Sequence, residues 1–129
     1  MPSLDANLIL RWLLDDVPDQ SAAVDRLLTS GGSCRLPDVA VIEVAFVLER
    51  TMRLSRELVA DYVDAILAVG SVVIDRALWQ RAVSSYRSHP KLSIADCYLA
   101  AQAAVTGDVP LHTFDLKLAR QLPEAELLR

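Results

Sequence analysis

The run VAVIEVAFVL, Val39 to Leu48, is apolar at every position but one. Glu43 stands in its middle. Pro37 suits the first turn of a helix, so PDVAVIEVAFVLERT reads as helical. On a helix, the neighbours of Glu43 at three and four positions are Val39, Ala40, Phe46 and Val47. All four are apolar, which predicts that Glu43 faces the body of the protein rather than a solvated stripe. A glutamate is seldom fully buried without a partner, and burying it charged and alone is very costly. The residue asks for a chemical explanation.

Outward from that helix, short apolar runs alternate with helical patterns. The opening MPSL reads as a strand, turning at Asp5-Ala6-Asn7 into the helix LILRWLL. Val17-Pro18 breaks it, and DQSAAVDRLLTSGG is an amphipathic helix with Ala22, Ala23, Leu27 and Leu28 on one face. SCRLP is a second strand candidate. LSRELVADYVDAILAVG is a helix capped by Ser55. SVVID reads as a strand, and RALWQRAVSSYRSHP as a helix stopped before Pro90. LSIADCYLAAQAAVTG is an alanine-rich helix running from near Ser93 to Gly107. VPLHTFD holds a short strand, and LKLARQL is the last helix. The alternation predicts one α/β domain over 1–129 with a short, mostly parallel, buried sheet flanked by helices.

With 129 residues, 53% of them hydrophobic, the chain has enough apolar material for a substantial core. Disorder as the main state is excluded on composition. The net charge of −4 is the wrong sign for a simple electrostatic nucleic-acid binder, which carries an excess of Lys and Arg. An acidic chain still acts on nucleic acid if metal ions sit between its carboxylates and the phosphates. Cys34 and Cys97 lie in apolar surroundings with no CxxC or Cys/His cluster, which predicts buried, reduced thiols in a cytoplasmic protein. No basic start precedes a long apolar core, so no signal peptide is expected. No uninterrupted apolar run approaches the roughly 20 residues of a membrane span.

In open α/β sheets, function collects beyond the carboxyl ends of the strands. Asp5 and Asp115 each follow a strand candidate at once. Each has an ordinary role available as a helix N-cap. Asp96 falls in the first turn of the alanine-rich helix, where the dipole favours an acid and where Ser93 would make a capping box of the Asp type. Glu43, in mid-helix, caps nothing. Two acids after strands and two on helices are placed to converge at one sheet end. Such a group repels itself unless a cation joins it. No lysine or arginine interrupts the apolar stretches around Glu43 and Asp96, so a hard divalent ion is the natural partner.

Taken together, these residues resemble a known family. LDANLILRWLLDD, the PDVAVIEVAFVLER helix, LSREL, the LSIADCYLAAQA helix and HTFDLKLAR, in that order, look like a PIN domain of the VapC toxin type, the nuclease half of a bacterial toxin–antitoxin pair. The resemblance runs over essentially the whole chain. Its D-x-N motif falls on Asp5 and Asn7, its helical glutamate on Glu43, its S-x-x-D on Ser93 and Asp96, and its T-x-D on Thr113 and Asp115. His112 stands where an aliphatic residue is usual, and reads as a packed or rim histidine rather than a ligand. His89 reads as a helix-end residue.

The resemblance implies a Mg²⁺- or Mn²⁺-dependent endoribonuclease, with Asp5, Glu43, Asp96 and Asp115 as catalytic and metal-binding residues. Such an ion lowers the pKa of a bound water and neutralises a phosphate, so that hydrolysis leaves a 5′-phosphate and a 3′-hydroxyl. Glu43 would ligate a metal or orient the attacking water, its apolar setting raising its pKa until metal binds. Asn7, Ser93 and Thr113 stand beside the acids as hydrogen-bonding support. Arg11, Lys117 and Arg120 are candidates for RNA phosphate contact. The resemblance further implies a homodimer and a cognate VapB-like antitoxin whose cationic side chains reach the acidic cluster. LSRELVADYVDAIL, with the helices before it, is a candidate part of the dimer or antitoxin surface, its stripe equally readable as ordinary core. Two other readings stand beside this one: a PIN-fold RNA-processing nuclease without an antitoxin, and a non-catalytic binding module whose acids only cap helices.

Overall fold

The computed structural model describes residues 1–129. The chain divides into two compact units, Met1–Ile74 and Asp75–Arg129.

The first unit holds α1 (Ala6–Leu14), α2 (Pro18–Leu28), β1 (Cys34–Arg35), α3 (Asp38–Phe46), α4 (Arg56–Leu67) and β2 (Val72–Val73). A π-helical turn, Val47–Thr51, continues α3. Asp5 caps α1, and Val17 precedes Pro18 at the start of α2, where a missing N–H costs nothing. Pro37 takes the cap position of α3 in extended conformation, one residue earlier than a first-turn proline. Ser55 caps α4 by accepting from the N–H of Leu58 at 3.2 Å. β1 and β2 pair in parallel, Cys34 opposite Val72. The expected N-terminal strand is reduced to a single parallel bridge between Ser3 and Arg35, reinforced by the Leu4 N–H donating to the Arg35 carbonyl at 2.8 Å.

Ile9, Val41, Val44, Leu48, Val59, Val63 and Ile66 are fully buried in this unit. α2 turns inward through Ser21, Val24 and Leu28. Ala22 and Ala23, expected on that inner face, are exposed. The reason is size: Val24 and Leu28 bury more apolar area than two alanines and set the rotation of the helix. The Trp12 indole donates to Oδ1 of Asp25 at 2.9 Å and ties α1 to α2.

The second unit holds α5 (Arg76–Ser88), α6 (Ile94–Thr106), β3 (Leu111–Thr113), α7 (Leu116–Gln121) and β4 (Ala125–Leu127). α5 and α6 pack together, with Trp79 stacked on Tyr98 at 4.9 Å between ring centres. Trp79, Tyr86 and Cys97 are fully buried. α6 ends at Gly107 in the left-handed region (φ 79°), whose N–H closes on the Ala103 carbonyl. β3 pairs in parallel with β4, Leu111 opposite Ala125. β4 is an element that the sequence pattern did not announce. The sheet of this α/β chain is thus two short parallel pairs, one in each unit. Both cysteines are buried, and neither forms a disulfide. No helix is long and apolar enough to cross a membrane.

Candidate functional site

Asp5 immediately follows the Ser3 bridge and caps α1. Its Oδ1 accepts from the N–H of Leu8 at 2.8 Å. The side chain is exposed, and its second oxygen has no hydrogen-bond partner. Asp115 repeats the arrangement after β3: Oδ1 accepts from the N–H groups of Lys117 (2.9 Å) and Leu118 (3.3 Å), leaving Oδ2 open. The Thr113 hydroxyl accepts from the Asp115 N–H at 2.9 Å and fixes the turn from behind. Capping and ligation are therefore not alternatives here. Each aspartate uses one oxygen to hold its helix and presents the other.

Glu43 overturns an expectation. It is exposed, not turned into the body of the protein. α3 buries Ala40, Val41, Val44 and Ala45. The opposite stripe carries Glu43 with Val39, 72% exposed, and Phe46, 58% exposed. The helix is apolar all round, so apolar neighbours gave no information about which side faces solvent. Its carboxylate makes no ion pair, and the Arg50 guanidinium on the same side lies over Phe46, 5.8 Å from the ring centre.

Asp96 is half-buried in the first turn of α6. Ser93 caps that helix, accepting from the Asp96 N–H at 3.1 Å. The carboxylate does not return the bond to Ser93, so the capping box stays open and the acid remains uncommitted.

Of the supporting residues, Thr113 and Ser93 act through the hydrogen bonds just given. Asn7 is exposed and lines a cleft of about 330 Å³ with Asp5, Leu8, Arg11, Gln20 and Val24. Arg11 is no solvated helix charge: it pairs with Asp16 at 3.0 Å, and its Nε is buried without a partner. Lys117 and Arg120 are exposed on α7 and make no ion pair. His112 is an exposed rim residue on β3 opposite Glu126. His89 ends α5, its Nδ1 2.8 Å from the Ser85 carbonyl. On α4, Val59, Val63, Ile66 and Leu67 are buried, so most of that stripe is core, with Leu58 outside. Neither unit by itself gathers three or more His, Cys, Asp or Glu side chains into a ready metal cage.

Phe114 escaped the sequence reading. It lies between Thr113 and Asp115 and is 80% exposed, more than any other large hydrophobic residue. An aromatic residue inside a polar turn was the available signal.

In each unit a bridge or strand runs straight into a helix-capping aspartate, Asp5 or Asp115, and one further acid, Glu43 or Asp96, lies on another helix. The family model of the PIN domain matches residues 3–121, and the chain belongs to that family. PIN domains are generally metal-dependent nucleases. No curated protein matches the chain.

Proposed function

We propose that the protein is a Mg²⁺- or Mn²⁺-dependent endoribonuclease and the toxin of a VapBC-type pair. Asp5, Glu43, Asp96 and Asp115 supply the carboxylates for the ion. The observation that carries this reading is that each of the four keeps at least one oxygen free of hydrogen bonds and none is neutralised by an ion pair. An all-oxygen donor set suits a hard divalent cation. Bound there, the ion would lower the pKa of a water and offset phosphate charge. The chain's own residues do the rest. Asp5 and Asp115 are held by their helices, and Thr113 fixes the backbone of Asp115. Glu43, exposed and unpaired, is open to a water or a ligand.

Lys117 and Arg120 remain candidates for phosphate contact, whereas Arg11 must first leave Asp16. A cytoplasmic homodimer inhibited by a VapB-like antitoxin belongs to the same reading. The exposed stripe Val39–Phe46 supports a partner surface on α3, one of the helices expected to share it with α4. The binding-module alternative is weakened by Glu43 and Asp96, whose carboxylates cap nothing.

Calorimetric titration with Mn²⁺ tests the site: heat is expected for the wild type and not for Asp96→Asn. Equal binding by both proteins removes the assignment. Induced expression in a bacterial host tests the toxin role, with arrested growth expected for wild type and normal growth for Asp5→Ala. Equal growth leaves an RNA-processing nuclease as the better reading.

A further inference from the structure

Resting on the ribonuclease reading, we infer that Phe114 is a stacking platform for a base of single-stranded RNA next to the cleaved phosphate. Its exposure is built, not accidental. The chain is pinned before it by the Thr113 hydroxyl accepting from Asp115 N–H and after it by the Asp115 carboxylate accepting from Lys117 and Leu118 N–H. Leu111, Thr113 and Asp115 are half-buried while His112 and Phe114 are exposed, so the ring continues the outward alternation of β3. The ring is 80% exposed, more than any other large hydrophobic side chain, which leaves both of its faces open to a planar partner.

Its surroundings choose the occupant. The next residue is a candidate metal ligand, where a phosphate would sit. The exposed, unpaired Lys117 and Arg120 follow on α7. Cations tracking a backbone beside an aromatic face are the recurring means of holding single strands, because every base has a π-face. His112 shares the outward side but stands opposite Glu126, so the stacking falls to Phe114 alone.

The test is anisotropy of a labelled, short, randomised, phosphorothioate-linked single-stranded RNA in Mn²⁺, which keeps the bridging cation while the linkage resists cleavage, with RNA integrity checked on a gel. Phe114→Ala is expected to weaken binding between about 5- and 150-fold, the range for one lost base stack. Phe114→Tyr restores it and Phe114→Leu does not. In Phe114→Trp, added RNA quenches indole emission beyond the change that wild-type Trp12 and Trp79 show. If Phe114→Ala binds as wild type, or Leu substitutes as well as Tyr, the stacking role falls while the nuclease reading stands. If Phe114→Ala changes the oligomeric state and not RNA binding, the ring belongs to a protein interface and the inference is overturned. If wild type binds no RNA, both readings fall together.

Discussion

The backbone N–H of Leu8 donates to Oδ1 of Asp5 across 2.8 Å, so one oxygen of a candidate metal ligand already holds a helix in place. This separates two roles of a single side chain. Asparagine caps about as well as aspartate but brings no charge. Asp5→Asn is therefore expected to keep stability within a few tenths of a kcal/mol, while Asp5→Ala loses about 1 kcal/mol. Both lose Mn²⁺ binding. Urea denaturation alongside calorimetry checks the pair. An Asn variant as destabilised as Ala would mean that the charge, not the cap, stabilises α1.

Glu43→Gln follows a different logic. The side chain is exposed and unpaired, so removing its charge neither relieves a buried carboxylate nor breaks a bond. Its stability change is expected within about 0.5 kcal/mol, as for surface substitutions away from special features. RNA cleavage is expected to fall by about 100-fold or more, the scale of a lost general base. Thermal melts and a cleavage assay in Mn²⁺ decide. Normal cutting by the variant would assign the acid to the surface stripe of α3.

The sequence made the helices legible because their punctuation is local. Ser55, Ser93 and Asp115 cap where they were expected to, and Gly107 stops α6. The four candidate acids were placed by motif order alone. Orientation was not. The α3 pattern lacks a polar face, so Glu43 was assigned inward when only Ala40, Val41, Val44 and Ala45 go there. β4 was missed because three residues, Ala125–Leu127, give no periodicity to read. Partnering was hidden too: whether Arg11 is free or tied to Asp16 depends on the left-handed turn at Asp15, where φ is 49°.

Gly107 makes a stability prediction with no packing in it. Its φ of 79° is the left-handed region, and a Cβ placed there meets nothing within 4 Å. The cost of Gly107→Ala is thus backbone strain alone, about 1 kcal/mol. A shift of the urea midpoint with unchanged slope is the expected signature. No shift would mean that the helix end relaxes away from this conformation.

Trp79 tests what holds the α6 carboxylate in place. The indole is fully buried and stacks on Tyr98, two residues beyond Asp96 on the same helix. Trp79→Ala removes the largest buried side chain of the α5–α6 pair and is expected to cost about 3–5 kcal/mol. The Arg81–Glu124 ion pair, at 2.7 Å but with Arg81 half in solvent, is a control from the same unit. Arg81→Ala should cost less than about 1 kcal/mol. Trp79→Phe keeps an aromatic partner for Tyr98 and should retain the fold, so its Mn²⁺ titration reads the position of Asp96 separately from unfolding. Weakened Mn²⁺ binding in a folded Trp79→Phe protein would show that the stack positions the ligand. Wild-type binding would show that the first turn of α6, capped by Ser93, sets the position of Asp96 by itself.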